Sequence, residues 1–217
     1  METFDIKLTS KFELATLLKW SLVVLICKVG VSIVSNYVDY FPANFDSEFL
    51  VNRRDFFCGA YRIAFYTHVI ASPVALFQGL ILLNQQWRQS YRSLHRVLGL
   101  VQIGLVLILI VPSSLIMSLH TIAGPISGIG FATSALSMGG CIFLGWRAAI
   151  QRHFQRHRRW MLRSYVLLCS AILLRVLGGL SELLYVDPLM SYRLAAWASW
   201  LVPWVILEIY FARKTIR

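Results

Sequence analysis

The chain has 217 residues, 58% of them hydrophobic, and its mean hydropathy is +0.65. This composition excludes a soluble domain, because too few polar side chains remain to cover its surface. The formal net charge of +11 would suit a nucleic-acid-binding protein, but most of the 21 Lys and Arg residues lie between apolar runs. The positive charge is therefore that of loops that stay on the cytoplasmic side of a membrane, beside anionic lipid. We expect no nucleic-acid partner.

The predicted fold is all-α, an integral membrane bundle of six helices with a four-helix core made of spans two to five. Six apolar runs approach the length of about twenty residues that crosses a hydrocarbon core. They cover residues 20–38, 59–83, 97–119, 128–146, 160–180 and 194–211. Residues 1–19 are predicted to be a cytoplasmic segment with a short interfacial helix, and residues 20–217 form one transmembrane domain.

The charges of the connections predict the orientation of the bundle. Residues 39–55 hold more acids than bases, whereas residues 85–96 carry three arginines and no acid, and residues 147–163 form a basic cluster. Basic connections stay on the cytoplasmic side of a membrane. We therefore expect both termini in the cytoplasm and a multi-pass membrane protein.

A histidine in the second span is the first candidate ligand. His68 shares a helical face with small and polar residues, namely Ala64, Ala71, Ser72, Ala75, Gln78 and Gly79. Such a face points into the bundle and leaves room for a flat ligand. Haem held by two histidines is the commonest flat ligand in a four-helix membrane core. The alternative is a buried histidine bonded to a neighbouring hydroxyl or carbonyl.

Four histidines sort into two levels of the predicted membrane. His95 and His157 lie at the cytoplasmic level, whereas His68 and His120 lie nearer the outer face. His95 and His120 are 25 residues apart, about 37 Å along a helix, so they cannot serve one site. Two sites on opposite faces are what a protein needs to pass electrons across a membrane. We predict one or two haem b groups, with these four histidines as iron ligands.

Arginines near both levels are predicted to hold haem propionates or an anionic donor through charge-assisted hydrogen bonds. At the inner level these are Arg92, Arg96, Arg158 and Arg163, and at the outer level they are Arg62 and Arg175. Arg175 shares a face of the fifth span with His157, about 27 Å away. A cation so deep in a membrane is costly unless paired, and Glu182 and a propionate are its two candidate partners.

Two other functions and a possible metal site stay open as alternatives. The chain could be a non-catalytic scaffold or accessory subunit of a larger complex, or a homo-oligomer, with a tryptophan-rich sixth span (Trp197, Trp200 and Trp204) against partner helices. A small-anion transporter lined by Arg62, Arg175 and Lys28 is the other alternative, although no internal repeat is visible. His153 and His157 have a metal-site spacing, but arginines surround them.

The fifth span carries a family resemblance. The run His157-Arg158-Arg159-Trp160-Met161-Leu162-Arg163-Ser164-Tyr165, followed ten residues later by Arg175, resembles a bacterial family of predicted membrane proteins of unknown function. Residues 68–83 and 94–99, and Trp146 with Ala148 or Ala149, fit the same layout, so the resemblance covers about residues 64–180.

In outline, the chain is also similar to di-haem b-type membrane cytochromes, which have six helices with histidines on the central four. The similarity implies oxidoreductase-like electron transfer, with a quinone or a small reductant as partner. The fourth-span histidine of that pattern is missing here unless His120 takes its place.

Overall fold

The structure, a computed structural model, describes residues 2–47 and 49–215. It divides into two compact units, residues 1–43 and residues 44–217. All regular elements of the described residues are helices, which confirms that the fold is all-α.

The first unit consists of one long helix, α1 (Glu2–Ser35), and a 3₁₀ turn, Asn36–Asp39. The predicted interfacial helix and the predicted first span belong to one continuous helix, which no proline interrupts. Lys28 is exposed within this unit. The side chains of residues 2–15, 18, 19 and 22 lie outside the described part of the chain, and the predicted span 20–38 is not among the candidate spans found.

The second unit contains a 3₁₀ turn, Arg54–Phe56, and the remaining helices. These are α2 (Gly59–Leu83), α3 (Gln85–Ser90), α4 (Arg92–Gly104), a π-helical segment (Leu105–Ile110), α5 (Val111–Ser118), α6 (Pro125–Ile150), α7 (Phe154–Leu168), α8 (Ser170–Leu183) and α9 (Pro188–Thr215). Among the described residues they give five candidate membrane spans, Gly59–Leu83, Arg92–Ser118, Pro125–Ile150, Phe154–Leu183 and Pro188–Lys214. The chain is therefore a helical protein with several membrane-spanning segments.

The second of the six predicted spans has the bounds of α2, whereas the four that follow begin earlier and three of them also end later than predicted. Apolarity stops where a helix meets the lipid headgroups, but backbone hydrogen bonding continues through the charged residues beyond. The span that contains α7 thus begins at Phe154, within the basic cluster, and the one that contains α4 begins at Arg92.

The third span is interrupted just before Pro112. The backbone widens into the π-helical segment Leu105–Ile110, and Pro112 follows in the first turn of α5. Proline has no N–H to donate to the carbonyl one turn earlier, and π segments are a common way to absorb such a mismatch. Instead, the hydroxyls of Ser113 and Ser114 donate to the carbonyls of Leu109 and Ile110, at 2.6 and 2.7 Å.

Helix α6 is the centre of the second unit, and α5, α7 and α9 pack against it. Its buried glycines allow these close approaches. A Cβ atom on Gly128 would lie 2.5 Å from the backbone oxygen of Ser118, and one on Gly130 would lie 3.1 Å from that of Ala196. Helix α2 packs in turn against α4, the π segment, α5 and α7, so the histidine-bearing helices are neighbours.

Candidate functional site

His95 and His157 lie close together at one end of the bundle. A short turn joins α6 to α7, so the first turns of α7 lie beside the last turns of α6. There the Nδ1 atom of His157 donates a hydrogen bond to the carbonyl oxygen of Gly145, at 2.9 Å. His95, near the start of α4, is within electrostatic range of both His157 and Arg88. The structure therefore brings together the pair that the sequence assigns to the inner level.

His68 is held by the two serines that follow the π segment. Its Nδ1 atom is 3.1 Å from the hydroxyl of Ser114 and 3.5 Å from that of Ser113. Because both hydroxyls already donate to backbone carbonyls, they are left to accept the Nδ1 proton of His68. His68 is also within electrostatic range of Arg175. Hydroxyl partners of this kind are those expected of a buried, hydrogen-bonded histidine, the alternative to a haem ligand. They also orient the ring.

His120 follows α5 and lies in an aromatic setting. Its ring stacks on Phe56 with 5.2 Å between the centroids and meets the edge of Tyr61 at 5.1 Å. Its Nδ1 atom is 3.2 Å from the carbonyl oxygen of Ile116. Ser114, the partner of His68, is six residues earlier, about 9 Å along a helix, so the two outer histidines are held by different neighbours.

Three of the four candidate histidines share one protonation pattern. A carbonyl oxygen only accepts, so the Nδ1 atoms of His157 and His120 carry protons, and the bonded serines assign the same tautomer to His68. In a neutral imidazole the other nitrogen, Nε2, then keeps its lone pair. Metal-bound histidines are commonly oriented in this way, with the remote N–H on a carbonyl or hydroxyl.

The fourth histidine has an orphaned nitrogen. The Nδ1 atom of His95 is buried and has no hydrogen-bond partner among the residues that the structure describes. A buried polar atom without a partner costs free energy of about 1–3 kcal/mol. Its tautomer is therefore not fixed by the protein, in contrast to His157 beside it.

Five of the six candidate arginines fall into three groups. Arg92, Arg96 and Arg158 are exposed on the first turns of α4 and α7, at the same end of the bundle as His95 and His157. Arg62 is exposed near the start of α2. Arg175, on α8, donates to the carbonyl of Ala171 at 3.3 Å and is within electrostatic range of His68 and Tyr192.

Arg163, which the sequence assigns to the inner propionates, is engaged with a carboxylate. Its Nε and Nη2 atoms donate to the two carboxylate oxygens of Glu208 on α9, at 2.5 and 2.7 Å. The guanidinium also lies 4.5 Å from the ring of Trp160 and 5.1 Å from that of Phe211. Trp204 completes the setting by donating to Glu208 at 3.0 Å. Glu208 is not among the predicted site residues, although a lone acid in an apolar span is as informative as Arg175.

The small-residue face of α2 is buried, as predicted, but the room expected along it is filled by protein. Ala64, Ala71, Ala75 and Gly79 are all buried. The ring of Tyr165 covers Gly79 so closely that a Cβ atom there would collide with it, and the Tyr165 hydroxyl donates to the carbonyl of Leu76 at 3.2 Å. A flat ligand therefore has no slot at Gly79.

The tryptophans of the last span are used within the bundle. Trp200 is only 4% exposed, and Trp197 donates to the carbonyl of Ile126 at 3.1 Å. Together with the bond from Trp204 to Glu208, these contacts give all three tryptophans partners within the chain.

The comparison with protein families agrees with this architecture. The family described as "Predicted membrane protein (DUF2306)" matches residues 65–211, well over half of the chain. The chain belongs to this family. The matched region contains all four candidate histidines and Arg175, whereas Arg62 precedes it. No curated protein and no solved structure matches the chain.

Proposed function

We propose that this member of the family is a b-type haem protein that relays electrons across the membrane. The observation that carries the proposal is the shared orientation of His157, His68 and His120, whose Nδ1 protons are engaged so that each Nε2 lone pair is left for a metal. Haem suits such residues because it brings four nitrogen ligands of its own and needs only one or two axial side chains.

In the inner site of the proposal, His95 and His157 would hold the haem iron. Their proximity and the adjacent arginines Arg92, Arg96 and Arg158 support it, since carboxylates of a bound haem or of an anionic donor would be held there by charge-assisted hydrogen bonds. Haem would supply a one-electron redox centre. The chain itself orients His157 through the Gly145 carbonyl and keeps the cationic end of the bundle available to the donor, a quinone or a small reductant.

The outer site of the proposal uses His68 and His120, with Arg62 and Arg175 as its cations. The serine pair beside His68 and the aromatic setting of His120 support two oriented ligands at this level. Because different neighbours hold His68 and His120, two arrangements are open. The two histidines share one haem, or each binds a haem of its own as the single protein ligand. The stoichiometry of bound haem separates the two arrangements.

The topology that goes with this function has six spans in the cell inner membrane, the first formed by residues 20–38, and both termini in the cytoplasm. The alternation of loop charges supports it. In this orientation the His95 and His157 end faces the cytoplasm.

The test is an absorption spectrum of the detergent-purified protein from cells supplied with haem, before and after reduction with dithionite. We expect a Soret band and sharp reduced α and β bands. The variant His157→Ala should lower the haem-to-protein ratio by one. His153→Ala is the matched control, because His153 is an exposed histidine four residues earlier, and this variant should keep the wild-type ratio.

A colourless wild-type protein would overturn the proposal. An unchanged ratio in both the His157→Ala and the His95→Ala variants would overturn the inner site alone. A folded, inserted bundle in each variant is verified by its helical circular dichroism, so that a lost haem is not confused with a lost fold.

A further inference from the structure

An open groove lies on the surface of the second unit, where the end of α5 meets the start of α6. Its volume is about 320 Å³, which is within the range of about 300–1,000 Å³ found for ligand sites. On the α6 side it is lined by Gly124, Gly128 and Ala132, which recur at every fourth residue and so lie on one face of the helix. Because none of these residues has a bulky side chain, α6 leaves a furrow there.

The groove lies where lipid tails meet lipid headgroups. Ser118 ends one candidate membrane span, Pro125 begins the next, and both residues line the groove. From Pro125 it extends inward along α6 to Ala132, about 10 Å along the axis, which is within one leaflet of a hydrocarbon core about 30 Å thick. Leu119 and Ile129 also line it and are 80% and 58% exposed, so the groove is apolar where it opens to the membrane.

A fixed guanidinium stands at the headgroup end of the groove. Arg193, on α9, donates from Nε to the carbonyl of Ala123 at 2.9 Å. Its Nη2 atom would be 3.9 Å from a Cβ atom on Gly124, a lining residue. No acid in the described part of the chain forms an ion pair with Arg193, and no acid lines the groove. Because the carbonyl uses only Nε, the two terminal nitrogens are able to donate to an anion.

The groove is separate from the proposed outer haem site. His120 lies in the chain between the lining residues Leu119 and Thr121, but it does not line the groove itself. Its ring instead stacks on Phe56 and meets the edge of Tyr61. A ligand in the groove therefore leaves the histidine in place, and an inference about the groove goes beyond the electron relay and does not rest on it.

We propose that the groove binds one anionic phospholipid of the surrounding membrane, with its phosphate on Arg193 and one acyl chain between α5 and α6. The guanidinium donates charge-assisted hydrogen bonds to phosphate oxygens, and the chain covers the furrow at Gly128 and Ala132. The unpaired positive charge favours this occupant over a neutral lipid. The short furrow favours it over a helix of a second copy, which would need a contact surface that continues across the membrane.

The first experiment measures lipid binding to the full-length protein in detergent by native mass spectrometry. The probes are phosphatidylglycerol and diacylglycerol with the same acyl chains, so that only the phosphate-bearing headgroup differs. We expect one phosphatidylglycerol to bind at least about tenfold more tightly than diacylglycerol. Arg193→Gln should abolish this difference. Arg54→Gln is the matched control, because it removes an exposed arginine that does not line the groove, and it should preserve the difference.

The second experiment fills the groove with a side chain. Ala132→Trp should weaken the binding of both probes at least about tenfold, because the large indole occupies the space of the acyl chain. Leu136→Trp places the same side chain one helical turn further along α6, at an exposed position outside the groove. This control variant should bind both probes as the wild-type protein does. Circular dichroism verifies that the bundle of each variant stays helical.

Each alternative occupant gives a different result. Equal binding of the two probes to the wild-type protein, or equal losses in the Arg193 and Arg54 variants, would overturn the phosphate contact. Unchanged binding to Ala132→Trp would overturn the groove as the lipid site. A dimer mass that disappears in Ala132→Trp but not in Leu136→Trp would assign the groove to a second copy and likewise overturn the proposal. A colourless protein that binds the lipid as described would refute the electron relay and leave the lipid site standing.

Discussion

The contact between Arg163 and Glu208 shows how a single charged residue is accommodated in an apolar helix. Two parallel hydrogen bonds neutralise the guanidinium, and aromatic rings cover its faces. Such a bidentate pair is stronger than a neutral hydrogen bond, and aromatic faces add a cation–π attraction. The pair joins α7, which carries the family-like sequence motif, to the last helix of the chain.

Breaking this pair should destabilise the protein. We expect Glu208→Leu and Arg163→Leu each to lower the free energy of unfolding by about 1.5–3 kcal/mol, because each leaves one charge without its partner. The double variant should be less destabilised than the sum of the two. Thermal unfolding in detergent, followed by circular dichroism, measures the difference. Arg213→Leu removes an exposed arginine on α9 and should change little, and strictly additive losses would contradict the coupling.

At the residue scale, the sequence predicts which side chains share a level but not which ones touch. His95 and His157 each lie beside arginines at a cytoplasmic connection, so their common level is visible in the charges alone. The partner of Arg163 is 45 residues away, on a helix whose packing position no local pattern reveals. The serines that hold His68 are equally remote, and their alignment depends on the π segment.

At the scale of elements, glycines of α6 decide how closely its neighbours approach. Gly128 lies against the backbone of Ser118, which has no flexible end to move aside. Gly140 is on the same helix and has no atom within 4 Å of a would-be Cβ. The two positions therefore separate the effect of packing from the general preference of helices for alanine.

We expect Gly128→Ala to lower the free energy of unfolding by about 1–3 kcal/mol, because the new methyl group would push α5 from α6. Gly140→Ala should be neutral or stabilising by up to about 1 kcal/mol, since alanine restricts the unfolded chain and favours helix. Both are measured by thermal unfolding in the same detergent. An equal response of the two variants would show that the close approach carries no cost.

Apolar patterns predict the existence of these helices well and their ends less well. The bounds of α2 follow directly from its apolar run, whereas α6 and α7 extend into polar residues that the hydropathy of a span does not include. The π segment is also beyond prediction from Pro112, because a proline in a helix can equally be absorbed by a simple kink.

At the scale of the whole molecule, the proposed orientation in the membrane rests only on the positive charge of certain connections between the spans. We expect a variant with Cys58 as its sole cysteine to react with a membrane-impermeant thiol reagent from outside the inner membrane. Gln151→Cys in a cysteine-free background should react only after the membrane is opened. Both positions are exposed, so that accessibility to the reagent is matched. The opposite pattern would reverse the orientation.

The pairing of Arg163 with Glu208 also has a consequence for how the chain is made. Ribosomes deliver α7 to the membrane before α9, so the cation of Arg163 enters before its counter-ion on α9 can reach it. A transcript that ends before α9 would yield a product fixed at that stage, a substrate for membrane proteases. Completion of the final helix thus acts as a checkpoint for the whole bundle.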